Sequence, residues 1–207
     1  ATASWAPKAP YKDNETTKYA VKMAIDDPES GEKIDVEMLF NYKTTKTTDK
    51  GFEGSFGWTH LLVGGAEQED ESFTTVLKPN GVLKSVDSPT YGEGMRRMFL
   101  PFYFSYPEKP IAIGGTWSCK DAPEEKVDGH TTNFEYTLVG PEDVKSKKAY
   151  KVTVKFGEDG PAPLKGDGTY WIGEDGRVLK FELNLTGWTV PVAPAVFTAK
   201  ITGEIAP

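Results

Sequence analysis

Side chains that commonly perform catalysis are scarce in this chain. It contains two histidines, His60 and His130, and one cysteine, Cys119. Nucleophilic catalysis requires a nucleophile beside a base that a third group orients, and Cys119 with His130 is the one pairing of this kind. No known motif flanks either residue, and a free cysteine usually behaves as a small hydrophobic residue. We therefore predict a protein that is not an enzyme and has no catalytic residues.

Metal and nucleotide sites also lack their usual residues. Zinc needs three or four His, Cys or acidic ligands, and the chain has no glycine-rich phosphate loop. Acids do stand beside glycines in Glu158-Asp159-Gly160, Asp167-Gly168 and Glu174-Asp175-Gly176, as in calcium sites. Asp-Gly is also a common pair in hairpin turns, and the EF-hand spacing is absent. We predict no cofactor and no metal, and leave calcium at these turns open.

The net charge of −7 argues against nucleic acid as a partner. Nucleic-acid binding depends on a basic surface, and the basic runs Arg96-Arg97 and 145–148 are too short to supply one. No stretch of about 18 apolar residues predicts a transmembrane helix. The chain begins Ala-Thr-Ala-Ser followed by a proline-rich stretch, which resembles the start of a processed protein. We predict an exported protein: periplasmic, lipid-anchored at the envelope, or extracellular.

Aromatic and methionine side chains are the remaining candidates for a binding site. Curved sheets can enclose apolar ligands, and methionine adapts to ligands of varied shape. An ordinary aromatic core would need the same residue types. Both interpretations, an aromatic core and an apolar ligand site, therefore stay open. The candidate ligand-binding residues are Trp58, Met95, Met98, Phe99, Phe102, Phe104, Trp171 and Trp188.

Most of the chain alternates apolar and polar residues, as half-buried β-strands do. Residues 19–25 and 34–40 predict a first hairpin. Two further segments carry hairpin turns, Lys78-Pro79-Asn80-Gly81 and Gly173-Glu174-Asp175-Gly176, and Asn-Gly favours a tight turn because both residues tolerate positive φ. The repeated pattern predicts two β-meander halves, 19–90 and 130–205, in one domain of residues 19–207 that follows an extended lead-in, 1–18. Whether the halves arose by duplication stays open.

The pattern changes in the segment 91–129 between the halves. Met95, Met98, Phe99 and Phe102 have the i, i+3, i+4, i+7 spacing of one helical face. Pro101 should end that helix near Leu100, because proline lacks an N–H donor and clashes with the preceding turn. The sequence therefore predicts one short helix between the two halves.

The linker after this helix resembles a pattern of uncharacterised secreted bacterial β domains, in which it follows a short helix and precedes a strand. Pro107, Lys109, Pro110, Gly114 and Trp117 match P-x-K-P-V-x-x-G-x-x-W, with Ile111 at the valine position. The strand order resembles LolA-like and LppX-like lipoprotein and lipid carriers, whose curved half-barrels cover an apolar cavity plugged by short helices. This resemblance implies that Met95 to Phe104 occupies the plug position, and it supplies no ligand residue.

We predict an all-β, mainly antiparallel fold: a curved half-barrel, or a closed barrel or sandwich as alternatives, with one short helix. The predicted function is non-enzymatic binding of a lipid or another apolar small molecule in the concavity of the sheet. The alternative is a structural or interaction module that binds a protein or glycan and has a solid core without a cavity. Aromatic side chains displayed outside the sheet would favour that alternative.

Overall fold

The structure is a computed structural model that describes residues 4–88, 91–122, 130–191 and 193–207. Within these ranges the chain forms fourteen strands, one α-helix and one 3₁₀ helix. The strands are β1 (Ser4–Trp5), β2 (Thr16–Asp26), β3 (Lys33–Thr48), β4 (Gly51–Val63), β5 (Ala66–Glu67), β6 (Glu71–Leu77), β7 (Leu83–Asp87), β8 (Ile111–Ala112), β9 (Thr116–Asp121), β10 (Thr131–Pro141), β11 (Ala149–Asp159), β12 (Lys165–Gly173), β13 (Val178–Val190) and β14 (Ala193–Ile205). The helix α1 spans Gly92–Phe99, and the 3₁₀ helix spans Leu100–Phe102.

Twelve strands form a single antiparallel sheet, which confirms the predicted fold class. The strand order is β7-β6-β4-β3-β2-β14-β13-β12-β11-β10-β9, with β5 paired to β4. Each half is a meander, and the halves join where β2 pairs with β14, with Met23 opposite Ile201. β1 and β8 form a separate two-stranded sheet, which places the buried Trp5 ring against Trp117 and Tyr150. None of the described helices is long and apolar enough to cross a bilayer.

The sheet curls until its two ends meet through side chains. In the described residues its edge strands β7 and β9 are not paired by backbone hydrogen bonds. Instead Lys78, just after β6, donates to the Asp121 carboxylate at the end of β9 (2.6 Å). The Asn80 amide lies 3.8 Å from Cys119 Sγ on the same strand. The sheet is thus a half-barrel and not a closed barrel, with polar side chains bridging its edges.

The predicted helix is present, and its end agrees with the predicted stop near Leu100. α1 ends at Phe99, and Pro101 lies inside the 3₁₀ helix that continues the chain to Phe102. Proline is compatible with the first turn of a helix because its missing N–H would have no intrahelical partner there. The chain therefore makes one more turn before it becomes extended at Tyr103.

The two predicted hairpin turns share one hydrogen-bond pattern. Lys78 N–H donates to Val82 O, and Gly173 N–H donates to Arg177 O, both at 2.8 Å. In the first turn only Gly81 has a positive φ (86°), so Asn80 does not use the left-handed conformation that the Asn-Gly pair was expected to need. Both turns pack beside Tyr106: its ring lies against Gly81, and its hydroxyl donates to Gly176 O (2.7 Å).

The concave face of the sheet is filled with aromatic rings over much of its length. The extended segment after the 3₁₀ helix is buried from Tyr103 to Tyr106, and Phe104 contacts Trp117, Tyr136 and Tyr170.

Burial raises the pKa of seven tyrosines above the usual value near 10 because the charged phenolate loses its hydration. They are Tyr11, Tyr19, Tyr42, Tyr103, Tyr106, Tyr136 and Tyr170.

Glycines on the concave face let large rings lie flat on the sheet. A Cβ at Gly203 on β14 would come within 2.1 Å of the Phe181 ring, which is only 3% exposed. That ring is fixed by Phe102 and Tyr170 (5.9 and 6.3 Å between centroids). Gly157 on β11 differs, because the nearest atom to its added Cβ would be Lys165 Cγ at 3.7 Å.

We expect alkaline pH to unfold the protein. A phenol whose folded pKa is raised stabilises the fold fully below its unfolded pKa near 10, and the stabilisation is lost as the pH rises beyond that value. Above that pH, each buried tyrosine should lower the free energy of unfolding by about 1.4 kcal/mol per pH unit. The Tyr103 hydroxyl has no hydrogen-bond partner among the described residues, so Tyr103→Phe should keep neutral stability and reduce this slope. Chemical denaturation across pH measures both, and a flat profile above pH 10 would contradict the expectation.

We expect Gly203→Ala to lower the free energy of unfolding by about 1–3 kcal/mol, because the added methyl group must displace the packed Phe181 ring. Gly157→Ala is the matched control. It adds the same methyl group to a strand where ordinary contact distances remain, so its free energy of unfolding should be unchanged or slightly raised. Urea denaturation of both variants provides the comparison. Equal changes in the free energy of unfolding would show that the Phe181 ring moves aside without cost.

Candidate functional site

A cavity of about 800 Å³ lies between α1 and the concave face of the sheet. This volume falls within the range of small-molecule sites in proteins. The helix and the residue before it contribute Tyr91, Met95, Met98 and Phe99. The sheet and its turns contribute Met23, Ile25, Ile34, Val36, Met38, Trp58, Leu61, Val63, Trp188, Val190, Pro191 and Phe197, and the loop from β5 to β6 contributes Glu67, Gln68, Glu69 and Glu71.

Strand alternation explains why the walls are apolar. Successive side chains of a strand point to opposite faces, so Met23 and Ile25 on β2, and Ile34 and Val36 on β3, point inward together. These strands pair with Met23 opposite Val36. The residues that alternate with them are exposed and include Lys22 and Glu37, which form an ion pair (2.9 Å). The period of two that predicted the hairpin therefore also produces one wall of the cavity.

All four methionines of the chain line this cavity: Met23, Met38, Met95 and Met98. Methionine is unbranched and polarisable, so it can adopt several rotamers against ligands of different shape. Met23 and Met38 come from the sheet, and Met95 and Met98 from the helix, so adaptable side chains flank the cavity on opposite sides. This arrangement favours a site with broad shape tolerance over one that recognises a single rigid molecule.

Arg97 anchors the helix to the second half of the sheet. Its guanidinium forms a forked interaction with Glu158 on β11 (2.6 to 3.1 Å) and also donates to Thr189 Oγ1 on β13 (3.0 Å). The Glu158 side chain is 1% exposed and accepts a further hydrogen bond from Leu164 N–H (2.8 Å). A buried carboxylate needs such partners because it has lost its hydration.

Arg96 anchors the same helix to both edges of the sheet. Its Nε donates to Lys84 O on β7 (2.9 Å), and its guanidinium pairs with Asp121 on β9, whose side chain is 1% exposed. Asp121 also pairs with Lys78. Neighbouring arginines on a helix point in different directions, so these two ion pairs together fix the rotation of α1. That rotation turns Met95, Met98 and Phe99 toward the cavity.

The structure brings together five of the eight residues predicted from the sequence. Trp58, Met95, Met98, Phe99 and Trp188 line the cavity, and the Trp188 indole donates to Met98 O (3.1 Å). Phe99 stacks on Trp58 (5.9 Å between centroids). These contacts place the predicted plug segment at one wall of the cavity. Whether these five residues bind a ligand remains a prediction.

The other three predicted residues lie elsewhere. Phe102 and Phe104 belong to the solid aromatic core next to the cavity, where only a void of about 40 Å³ remains. Trp171 lies on the opposite face of the sheet in a small cluster with Ala149 and Leu179. Its ring is covered by Lys180 and Lys151 (4.6 and 5.5 Å from Nζ to the centroid).

Sequence reasoning missed three parts of the site. Met23, Ile25, Ile34, Val36 and Met38 lie on the alternating apolar faces of the predicted first hairpin, but no signal shows which strands the helix covers. Arg96-Arg97 was considered only as a basic run, because nothing in two adjacent arginines shows that each will pair with a buried acid. The acids of the loop from β5 to β6 were taken for an ordinary solvated loop.

The other residues considered for chemistry are engaged separately. The Cys119 thiol neighbours the Asn80 amide, and His130 Nδ1 lies 3.2 Å from Asp159 O. Among the acids of the candidate calcium turns, Glu158 binds Arg97, Asp167 accepts from Asn184 (3.1 Å), and Asp175 pairs with Arg177 (3.2 Å). In the described ranges no three His, Cys, Asp or Glu side chains gather in a metal-binding group.

A second concavity, of about 870 Å³, lies over strands β10 to β13 on the other face. Threonine, lysine, asparagine and acidic side chains line most of it, including Thr137, Thr153 and Thr169. These threonines are cross-strand neighbours, so this surface is the ordinary polar outer face of the sheet, dished by its twist. It lacks the apolar walls that small-molecule sites use.

No protein-family model matches the sequence, and a search of curated proteins finds no match. Among solved structures, a "putative lipoprotein" from Parabacteroides distasonis ATCC 8503 is similar with a TM-score of 0.42 and 13% identity, over 98% of this chain and 100% of the other. A "putative exported protein with YmcC-like fold" from Bacteroides fragilis NCTC 9343 is similar with a TM-score of 0.37 and 12% identity, over 98% and 100% of the two chains. Both scores lie below 0.5, and neither the fold nor the function described here rests on these likenesses.

We expect Arg97→Met to lower the free energy of unfolding by about 3–5 kcal/mol, because it leaves the Glu158 carboxylate buried without its cation. The double variant Arg97→Met/Glu158→Gln should recover much of this loss, since the neutral amide can still accept from Leu164 N–H. A double-mutant cycle by chemical denaturation measures the coupling. Additive effects of the two substitutions would show that the ion pair does not hold α1.

Proposed function

We propose that this is a non-enzymatic exported protein that binds a lipid or another apolar small molecule in the cavity between α1 and the sheet. The observation that carries the proposal is the cavity itself, whose walls are apolar except along one loop. A lipid-sized molecule fits the proposal better than a rigid cofactor, because four flexible methionines line the space.

The energetics favour an elongated hydrocarbon. Each methylene group transferred from water into an apolar site contributes about 0.8 kcal/mol, which corresponds to about a fourfold gain in affinity. A chain of several methylenes can therefore bind without any strong polar contact. The cavity has few polar groups to orient a rigid ligand, so affinity would come mainly from buried hydrocarbon.

The alternative of an interaction module has less support in the described residues. Such a module would display aromatic side chains outside the sheet, whereas the large hydrophobic residues exposed there are aliphatic: Leu62, Ile113, Val139 and Val196. Trp171, the tryptophan on the outer face, is covered by lysine side chains. A solid core without a cavity would also have favoured this alternative, and the space under α1 is open instead.

We expect the purified protein to bind a neutral fluorescent naphthylamine dye and to carry apolar molecules that solvent extraction and mass spectrometry detect. Val63→Trp and Ile25→Trp place bulk in the cavity from two different strands, and each should weaken dye binding about tenfold or more through lost space. Saturating ligand should also raise the free energy of unfolding of the wild-type protein, by about 2.7 kcal/mol at a hundred times the dissociation constant.

Val139→Trp is the matched control, because it adds the same side chain at a residue that is 47% exposed on the outer face. It should leave dye binding unchanged. Circular dichroism must show the wild-type spectrum for each variant before binding is compared. Equal dye binding by all three variants, or a wild-type protein that binds no dye and carries no apolar molecule, would refute the proposal.

A further inference from the structure

The polar part of the cavity wall comes from a single loop. Glu67, Gln68, Glu69 and Glu71 line the space on the side where β5 leads into β6, and all four are exposed to solvent. The remaining described lining residues are apolar or aromatic. The cavity therefore has one polar mouth and an apolar interior, which is the shape of a site for an amphiphile.

The mouth is acidic, and no base neutralises it. No lysine or arginine is among the described lining residues. Glu67, Glu69 and Glu71 form no ion pair in the part of the chain that the structure describes, whereas Lys33 at the nearby end of β3 is paired with Asp26 (3.7 Å). Charges of one sign around a low-dielectric cleft focus the field at its opening. A cation is attracted to such a mouth and an anion is repelled.

The loop is held in place by the backbone and does not depend on the ligand for its position. Glu67 pairs with Leu62 across β4 and β5, Gln68 N–H donates to Leu61 O (2.8 Å), and Glu71 pairs with Trp58. The Asp70 carboxylate accepts from His60 N–H (3.1 Å). The three glutamates are thereby carried at fixed backbone positions along the rim.

We infer that the ligand of this cavity is an amphiphile whose polar end carries a positive charge, such as an alkylamine or a lipid with a quaternary ammonium group. The inference rests on the proposed function, because it assigns the headgroup of the same site. The hydrocarbon part lies between the helix and β2 to β4, among the methionines. The cationic end remains at the mouth beside Glu67, Glu69 and Glu71, where it keeps contact with water and avoids the cost of burying a charge.

Three probes with the same tail test the headgroup by displacing the neutral naphthylamine dye. Dodecyltrimethylammonium and dodecyl sulfate are used below their micelle concentrations, and dodecanol is used below its solubility limit. At low ionic strength we expect the ammonium probe to displace the dye at about a tenfold lower concentration than the sulfate, with the alcohol between them. High salt should bring the three together, because it screens exposed charges.

The variant Glu67→Gln/Glu69→Gln/Glu71→Gln should remove most of the preference while the alcohol binds as before. Glu53→Gln/Glu108→Gln/Glu174→Gln is the matched control, since it changes the net charge equally at exposed residues away from the mouth and should keep the preference. Both variants should unfold at the wild-type denaturant concentration.

The outcomes separate the two proposals. If the wild-type protein binds all three probes equally, or prefers the sulfate, the headgroup inference fails and the apolar cavity remains a binding site. An equal loss of preference in both variants also overturns it, because net charge would then be the cause. If no probe displaces the dye and the dye itself does not bind, the proposed function fails as well.

Discussion

Two buried carboxylates determine where α1 sits, and the cavity follows from that position. Glu158 lies on β11 and Asp121 at the end of β9, and each side chain has almost no exposure to water. A carboxylate in that environment is strongly unfavourable without a cation, so Arg96 and Arg97 must both face their partners. One helix eight residues long cannot satisfy two such partners in more than one orientation. The ion pairs therefore fix the rotation of α1 over the sheet, and Phe99 packs on Phe56 and Trp58 in that orientation.

Hydrophobic packing alone would close the space under such a helix, because apolar surface left in contact with water is costly. At the other end of the concave face it does so: Phe104 and its tyrosine neighbours leave only a void of about 40 Å³. Beneath α1 the wall residues of β2 and β3 are methionine, valine and isoleucine, whose side chains reach less far than tyrosine. The ion pairs and the shorter side chains together keep one end of the same concavity open while the other end is solid.

The strands, the single helix and the curved antiparallel sheet could be predicted from the sequence because each depends on local periodicity. The i, i+3, i+4, i+7 spacing located Met95, Met98 and Phe99 on one face, and the structure turns that face toward the cavity. The partners of Arg96 and Arg97 could not be predicted, because Asp121 and Glu158 are two among 31 acidic residues and nothing local marks them as buried. Trp171 shows the opposite limit. It alternates with the core residues Tyr170 and Ile172 on β12, so the period of two places its ring on the outer face, whereas residue type alone suggested a ligand contact.

The packing of α1 does not require a ligand in the cavity. Met95 and Phe99 are buried although the space beside them is open, and Phe99 packs against Phe56 and Phe102 (4.6 and 5.5 Å) independently of any ligand. The helix is also fixed by its arginines on the faces that point away from the cavity. Ligand entry and release would then require rotamer changes of methionine side chains, which occur rapidly, with little movement of the backbone. A cavity of this kind is suited to reversible binding, because the fold is complete in both the empty and the occupied state.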